Sequence, residues 1–230
     1  MSFTKRVGAS VGASMAPKVT QVAPNITAAF VHQALTMAIS GAGPLPSAAD
    51  AADKQQAERP GDVKHGIHDV IENHVRYAGV QGFLTNLGGL VTMAVTVPAN
   101  VAGLALIQCR MVAGILHLRG YDLDDPRTRD AVLACLLGEE KIMHLIKKHE
   151  IPGTPMEIAN NLTHDPDLDR LLANEVAAEL IARAAGKRLI TATGRRVPVV
   201  GGLVGAGTDA FVTWRIGRYV DREFLPRKRR

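Results

Sequence analysis

Aromatic residues make up only 4% of this 230-residue chain: one Trp, three Tyr and five Phe. A core without large rings has to be filled by Ala, Val, Leu and Ile, and the 22 glycines let backbones approach closely. Cysteine is almost missing as well. Cys109 and Cys135 both lie inside apolar runs, which argues against a disulfide framework or a cysteine metal site. Two buried thiols in a reducing compartment are expected instead. Stretches of β-type alternation are scarce, and long Ala/Leu-rich runs replace them. The predicted fold class is therefore all-α: a compact multi-helix domain with Gly/Ala-rich central helices. After Lys5-Arg6 there is no continuous apolar segment and no cleavage site, so no secretory signal is read and a cytoplasmic location is expected.

Charge is the next absence. Residues 77–109 hold no charged side chain, although 21% of the chain is charged. Such a gap marks either the buried centre of a helical domain or a segment that touches lipid. Residues 87–106 have the ~20-residue length of a membrane span, but Thr92, Thr96, Pro98 and Asn100 interrupt it. A buried or re-entrant hairpin hinged near Pro98 is preferred, with the other Gly-rich run, 197–212, as its expected partner. Elsewhere the charge is lopsided. Residues 187–230 carry eleven Lys/Arg against three acids, while residues 1–186 carry 16 against 19. A basic end on a mildly acidic body suits an anionic partner.

The chain divides into a Ser/Gly/Ala-rich segment at 1–18, read as disordered, a helical domain over 19–223 and a basic tail over 224–230. A first helix is expected over 19–40, broken by the prolines and glycines of 41–50. A short helix follows over 48–57. Asp62 opens the next, to about Gly79, with Val63, Ile67, Val70, Ile71 and Val75 as its apolar stripe. Between Pro98 and Leu118 two faces separate. Val101, Leu104, Gln108, Met111, Ile115 and Leu118 form a packing stripe, while Asn100, Gly103, Ile107, Arg110, Gly114 and His117 form a more polar one. Asp124 or Asp125 with Pro126 starts a helix to Gly138, and a charged segment runs from Glu139 to Glu150. Asp165-Pro166 opens a helix to about Ala185, and Pro198 begins a Gly-rich run that becomes a cationic amphipathic helix.

The segments TNLGG (85–89), RGYD (119–122) and VPVVGG (197–202), in this order, resemble the EcsC family over roughly residues 60–223. Where that family tends to place Gly after the Thr, this chain has Asn86. The resemblance implies a mostly helical bacterial domain. The family is named for a gene neighbour of an ABC transporter and is loosely tied to membranes and transport. It implies no reaction and no catalytic residues.

Catalytic signatures are absent: there is no G-x-S-x-G elbow, no Walker A loop and no HExxH. His65, His68 and Glu72 share one helix face at i, i+3 and i+7 and could offer two imidazoles and a carboxylate to zinc or iron, the basis of an alternative reading as a metal-dependent hydrolase. A solvated polar face is the preferred reading of the same residues, and no cofactor is expected. His144 and His149, five apart, point away from each other. Asp122, Asp124 and Asp125 lack the glycine and glutamate of a calcium loop and are read as helix caps.

The membrane-contact candidates are Trp214, Arg215, Arg218, Arg222, Arg227, Lys228, Arg229 and Arg230, with Tyr219 beside them. An anionic lipid surface or a membrane protein, a transporter among them, is the expected partner class; a merely solvated tail stays open. Nucleic acid is disfavoured because no binding motif accompanies the charge. The expected function is a non-catalytic helical protein with a regulatory or accessory role, peripheral at the inner face of the membrane.

Overall fold

A computed structural model describes residues 26–58, 60–79, 99–193 and 198–227. Among these residues there are nine helices and no strand, so the all-α expectation holds.

Short polar residues start the first three helices. Helix α1 (Ala28–Ser40) begins at Thr27, whose side chain accepts the Phe30 N–H, and stops at Gly41 with φ +81°. A Cβ on Gly41 would lie 2.5 Å from the Leu45 carbonyl oxygen, so only glycine fits this turn. Helix α2 (Ala48–Ala57) is capped by Ser47. Helix α3 (Val63–Gly79) starts after Asp62, which accepts the His65 N–H at 3.0 Å. The first helix, expected over 19–40, is shorter at its start: residues 26 and 27 are not helical and Thr27 caps it, while 19–25 lie outside the described residues.

Helix α4 (Ala99–Leu118) is the axis of the fold. It packs against α1, α2 and α3 and against three later helices: α5 (Pro126–Leu137), α8 (Pro166–Thr193) and α9 (Pro198–Glu223). Helix α6 (Glu139–Lys147) and the short α7 (Pro155–Ala159) complete the set. Asp125 caps α5 with Pro126 in its first turn, as the sequence indicates. Two details differ from the sequence reading. The capping box of Thr154 and Glu157 creates α7, which apolar periodicity is too short to reveal, and α8 continues past Ala185 to Thr193.

The two faces expected on α4 are both interior. Leu106, Met111, Val112, Ile115 and Leu116 are sealed from water, and so are Ile107, Arg110 and Gly114 on the face read as polar. Each large apolar side chain withdrawn in this way contributes about 1.5–3 kcal/mol. Residues 101–118 form the one helical stretch, among the described residues, long and apolar enough to cross a membrane, and 94% of it is buried by other helices. The candidate span at 87–106 is described only in its last residues, and Val101–Leu106 lie in this core. The uncharged stretch thus ends in the centre of the protein.

Polar groups in this centre have partners. Arg110 donates to the carbonyls of Ala38, Pro46 and Ser47, capping the C-terminal end of α1 and bracing the turn into α2. Carbonyls at a helix end carry partial negative charge, which suits a buried cation with no carboxylate beside it. His74 on α3 is held through Nδ1 on the Val70 carbonyl at 2.7 Å, and burial pulls its pKa down to about 4. Close approach completes the packing. A Cβ on Gly217 would stand 2.9 Å from Ile71 and 3.1 Å from Met111, so α9 lies tight against α3 and α4. Among the described residues, helix α9 packs chiefly on α3 and meets α4 as its second partner; the expected pairing of 197–212 with residues 80–98 lies outside the described residues.

Candidate functional site

The histidine pair of α3 is accounted for by local contacts. His65 pairs with Asp62, His68 Nε2 lies 3.1 Å from Glu72, and the other Glu72 oxygen accepts from Arg76 at 3.2 Å. All of these side chains are about half exposed. Among the described residues, no three His, Cys, Asp or Glu converge so as to hold a metal ion. Nothing around His65, His68 and Glu72 favours a metal-dependent hydrolase.

A wide concavity follows α9. Its volume is about 770 Å³, and Val212, Ile216 and Tyr219 line it from α9, joined by Leu104 of α4 and Leu137 of α5. Helical spacing sets a second stripe, Arg215, Arg218 and Arg222, alongside the apolar one. Opposite it stands the first turn of α6, where Glu139 and Glu140 benefit from the helix N-terminus. Two ion pairs cross the mouth: Arg215 to Glu140 at 3.2 Å and Arg222 to Glu139 at 2.8 Å. Deeper in, Arg183 of α8 donates to Glu179 at 3.0 Å and to the buried Gln108 at 3.4 Å, and Gln108 donates to Thr213 at 3.2 Å. This chain of bonds ties α8, α4 and α9 together beneath the cleft.

The membrane-contact candidates separate into three groups. Trp214 is 47% exposed and stacks on Phe211, itself 56% exposed, with ring centroids 6.1 Å apart. Arg215, Arg218 and Arg222 flank this aromatic pair, half exposed but ion-paired; Arg218 meets Asp221 at 3.6 Å. Arg227 is folded back instead. Its N–H bonds the Arg119 carbonyl at 2.7 Å, its guanidinium lies 4.0 Å over the Tyr121 ring, and it also reaches Asn160. Lys228, Arg229 and Arg230 lie outside the described residues. Tyr219 does not join the exposed aromatics: it is buried, and burial pushes its hydroxyl well above the usual tyrosine range.

The RGYD segment acquires a physical role through Arg227. Arg119 donates to Asp221 at 2.7 Å, and Gly120 (φ +85°) leaves room for the Arg227 carbonyl, which a Cβ would meet at 2.7 Å. Tyr121 packs edge-on against Phe224 with centroids 5.1 Å apart. This segment clasps the end of α9 to the end of α4.

One cluster escaped the sequence reading. Asp130, on the buried side of α5, faces Asp169 of α8, with His164 3.3 Å from Asp130 and His32 of α1 3.4 Å from Asp169. Burial first, and then the neighbouring carboxylates Asp169, Asp165 and Asp125, raise the Asp130 pKa to about 8, so at neutral pH it holds a proton for Asp169. A cavity of about 180 Å³ opens beside the cluster. Its members are spread over 137 residues of sequence, from His32 to Asp169, and no short spacing betrays them. Cys109 and Cys135 are free and buried, as expected; burial pushes the Cys109 thiol up to about 12.

The architecture is thus a single-axis helical domain that carries an amphipathic cleft rimmed by paired charges. The chain belongs to the EcsC protein family, whose profile matches residues 4–230. No curated protein and no solved structure matches it.

Proposed function

We propose that this is a non-catalytic, peripheral membrane protein with a regulatory or accessory role at the inner face of the membrane. The observation that carries the reading is the stacked Phe211–Trp214 pair, exposed on α9 and flanked by Arg215 and Arg218. Exposed aromatic rings next to arginines suit the interface of an anionic bilayer, where rings settle at headgroup level and each nearby cation contributes ~1 kcal/mol. The Arg215–Glu140 pair is solvent-exposed, and such pairs are worth only about 0–1 kcal/mol, so phosphate groups compete with it readily. Helix α4, being enclosed, has no part in this attachment; contact is made by the α9 surface. An accessory role beside a membrane transporter belongs to the same reading, with the transporter as partner.

Vesicle flotation tests it. The full-length chain is expected to float with phosphatidylglycerol-containing vesicles at low salt and to lose most of that binding with Phe211→Ser and Trp214→Ser together. A chain that stays at the bottom of the gradient with anionic vesicles at low salt sinks the reading.

A further inference from the structure

We propose that the cleft along α9 binds a single-chain amphiphile with a zwitterionic headgroup, of the lysophosphatidylethanolamine class. The inference deepens the membrane reading and rests on it for the source of such a molecule.

The cleft has the composition of such a ligand in reverse. Its floor, Leu104, Val212 and Ile216, offers an apolar track for an acyl chain, and about 770 Å³ falls within the ~300–1,000 Å³ range of sites that enclose small ligands. The charges around it balance: four arginines (183, 215, 218 and 222) stand against four acids (139, 140, 179 and 209). A fatty acid would bring one negative charge to a rim that already satisfies its cations. A quaternary ammonium would do the same to the acids. A headgroup holding phosphate and ammonium a few bonds apart can replace both members of a rim pair at once. The phosphate takes Arg215 or Arg222 in the fork geometry guanidinium favours, and the ammonium takes Glu139 or Glu140.

Both rim pairs are exposed, Glu140 at 88%, so breaking them forfeits little. The deeper Arg183–Glu179 pair stays bonded to Gln108 and fixes the inner wall. Trp214 lines the cleft while half of it faces solvent, which puts an amphipathic ring at the boundary between chain and headgroup.

Trp214 is the one tryptophan in the sequence, so its fluorescence reports on this cleft alone. The full-length chain is titrated with lauroyl lysophosphatidylethanolamine, laurate and dodecyltrimethylammonium, each below its micelle concentration, with calorimetry in parallel. The zwitterion is expected to bind at least about tenfold tighter than either single-signed probe. Glu139→Gln with Glu140→Gln leaves the rim net positive at two exposed positions, and circular dichroism checks that the variant is folded. That variant is expected to shift the preference about tenfold toward laurate. Laurate binding as tightly as the zwitterion in the unaltered chain, no heat or fluorescence change with any probe, or an unchanged preference in the variant would each overturn the proposal. Flotation on vesicles without lysolipid binding removes this site and leaves the membrane reading standing. Lysolipid binding without flotation does the reverse.

Discussion

Raising the pH from 6.5 to 8 should weaken this protein, and Asp130 should be the cause. In the folded chain Asp130 keeps its proton to about pH 8, whereas an unfolded aspartate has released it by about pH 4. Between those limits unfolding releases a proton, so stability falls as pH rises, by at most ~1.4 kcal/mol per pH unit for one group. His74 works in the opposite sense. Its folded pKa of about 4 lies below the ordinary 6.5, so unfolding takes up a proton between those values and stability rises with pH there. The two slopes offset each other below pH 6.5. At pH 6.5 the unfolded His74 is still half protonated, and its opposing slope fades by about pH 7.5, so Asp130 dominates and the net loss between pH 6.5 and 8 is about 1–1.5 kcal/mol.

Urea denaturation followed by far-ultraviolet circular dichroism, at constant ionic strength across this window, reads the slope directly. Asp130→Asn keeps a neutral donor facing Asp169 and cannot ionise. Its stability should stay level or rise slightly from pH 6.5 to 8 while the unaltered chain declines. A level or rising profile for the unaltered chain, or a decline that survives in Asp130→Asn, would refute the assignment of a shared proton to this pair.

Two further substitutions probe the core. Arg110→Met keeps an unbranched apolar stem but abandons three carbonyls at the α1–α2 turn, and should cost about 1–3 kcal/mol with the earliest hydrogen exchange appearing around residues 38–47. Gly217→Val forces side-chain atoms into Ile71 and Met111; a loss of about 1–3 kcal/mol in denaturant stability is expected, and a neutral result would mean that α9 sits farther from α3 than described.

Two helix starts were legible because they are written locally: Asp62 and Asp125-Pro126 each lie within three residues of the N–H groups they satisfy or the turn they begin. The environment of α4 was not, because its polar face is neutralised from afar. Arg110 meets Ala38 and Pro46, 72 and 64 positions earlier, and without that knowledge an arginine on a helix face reads as exposed. Arg227 shows the same effect. Within a run of Lys and Arg it reads as one more tail cation, yet Arg119 and Tyr121 hold it. The cleft was half visible: the arginine stripe of α9 follows from spacing, but Glu139 and Glu140 reach it only through the fold. The Asp130–Asp169 pair has no local trace, since its members are joined by the packing of α8 on α5.

The enclosure of α4 has a consequence for how the chain is made. The walls around this helix come from α1 at one end of the described sequence and from α9 at the other. Among the described residues, α9 brings Gly217 against Ile71 and Met111, and α1 gives Arg110 the Ala38 carbonyl. During synthesis, at about 5–20 residues per second, the emerging polypeptide holds α4 without its α9 wall for several seconds, the time taken to make the roughly hundred residues that separate them. The face of α3 and α4 that receives Gly217 is therefore the last part of this core to close, and until then it is open to other apolar surfaces.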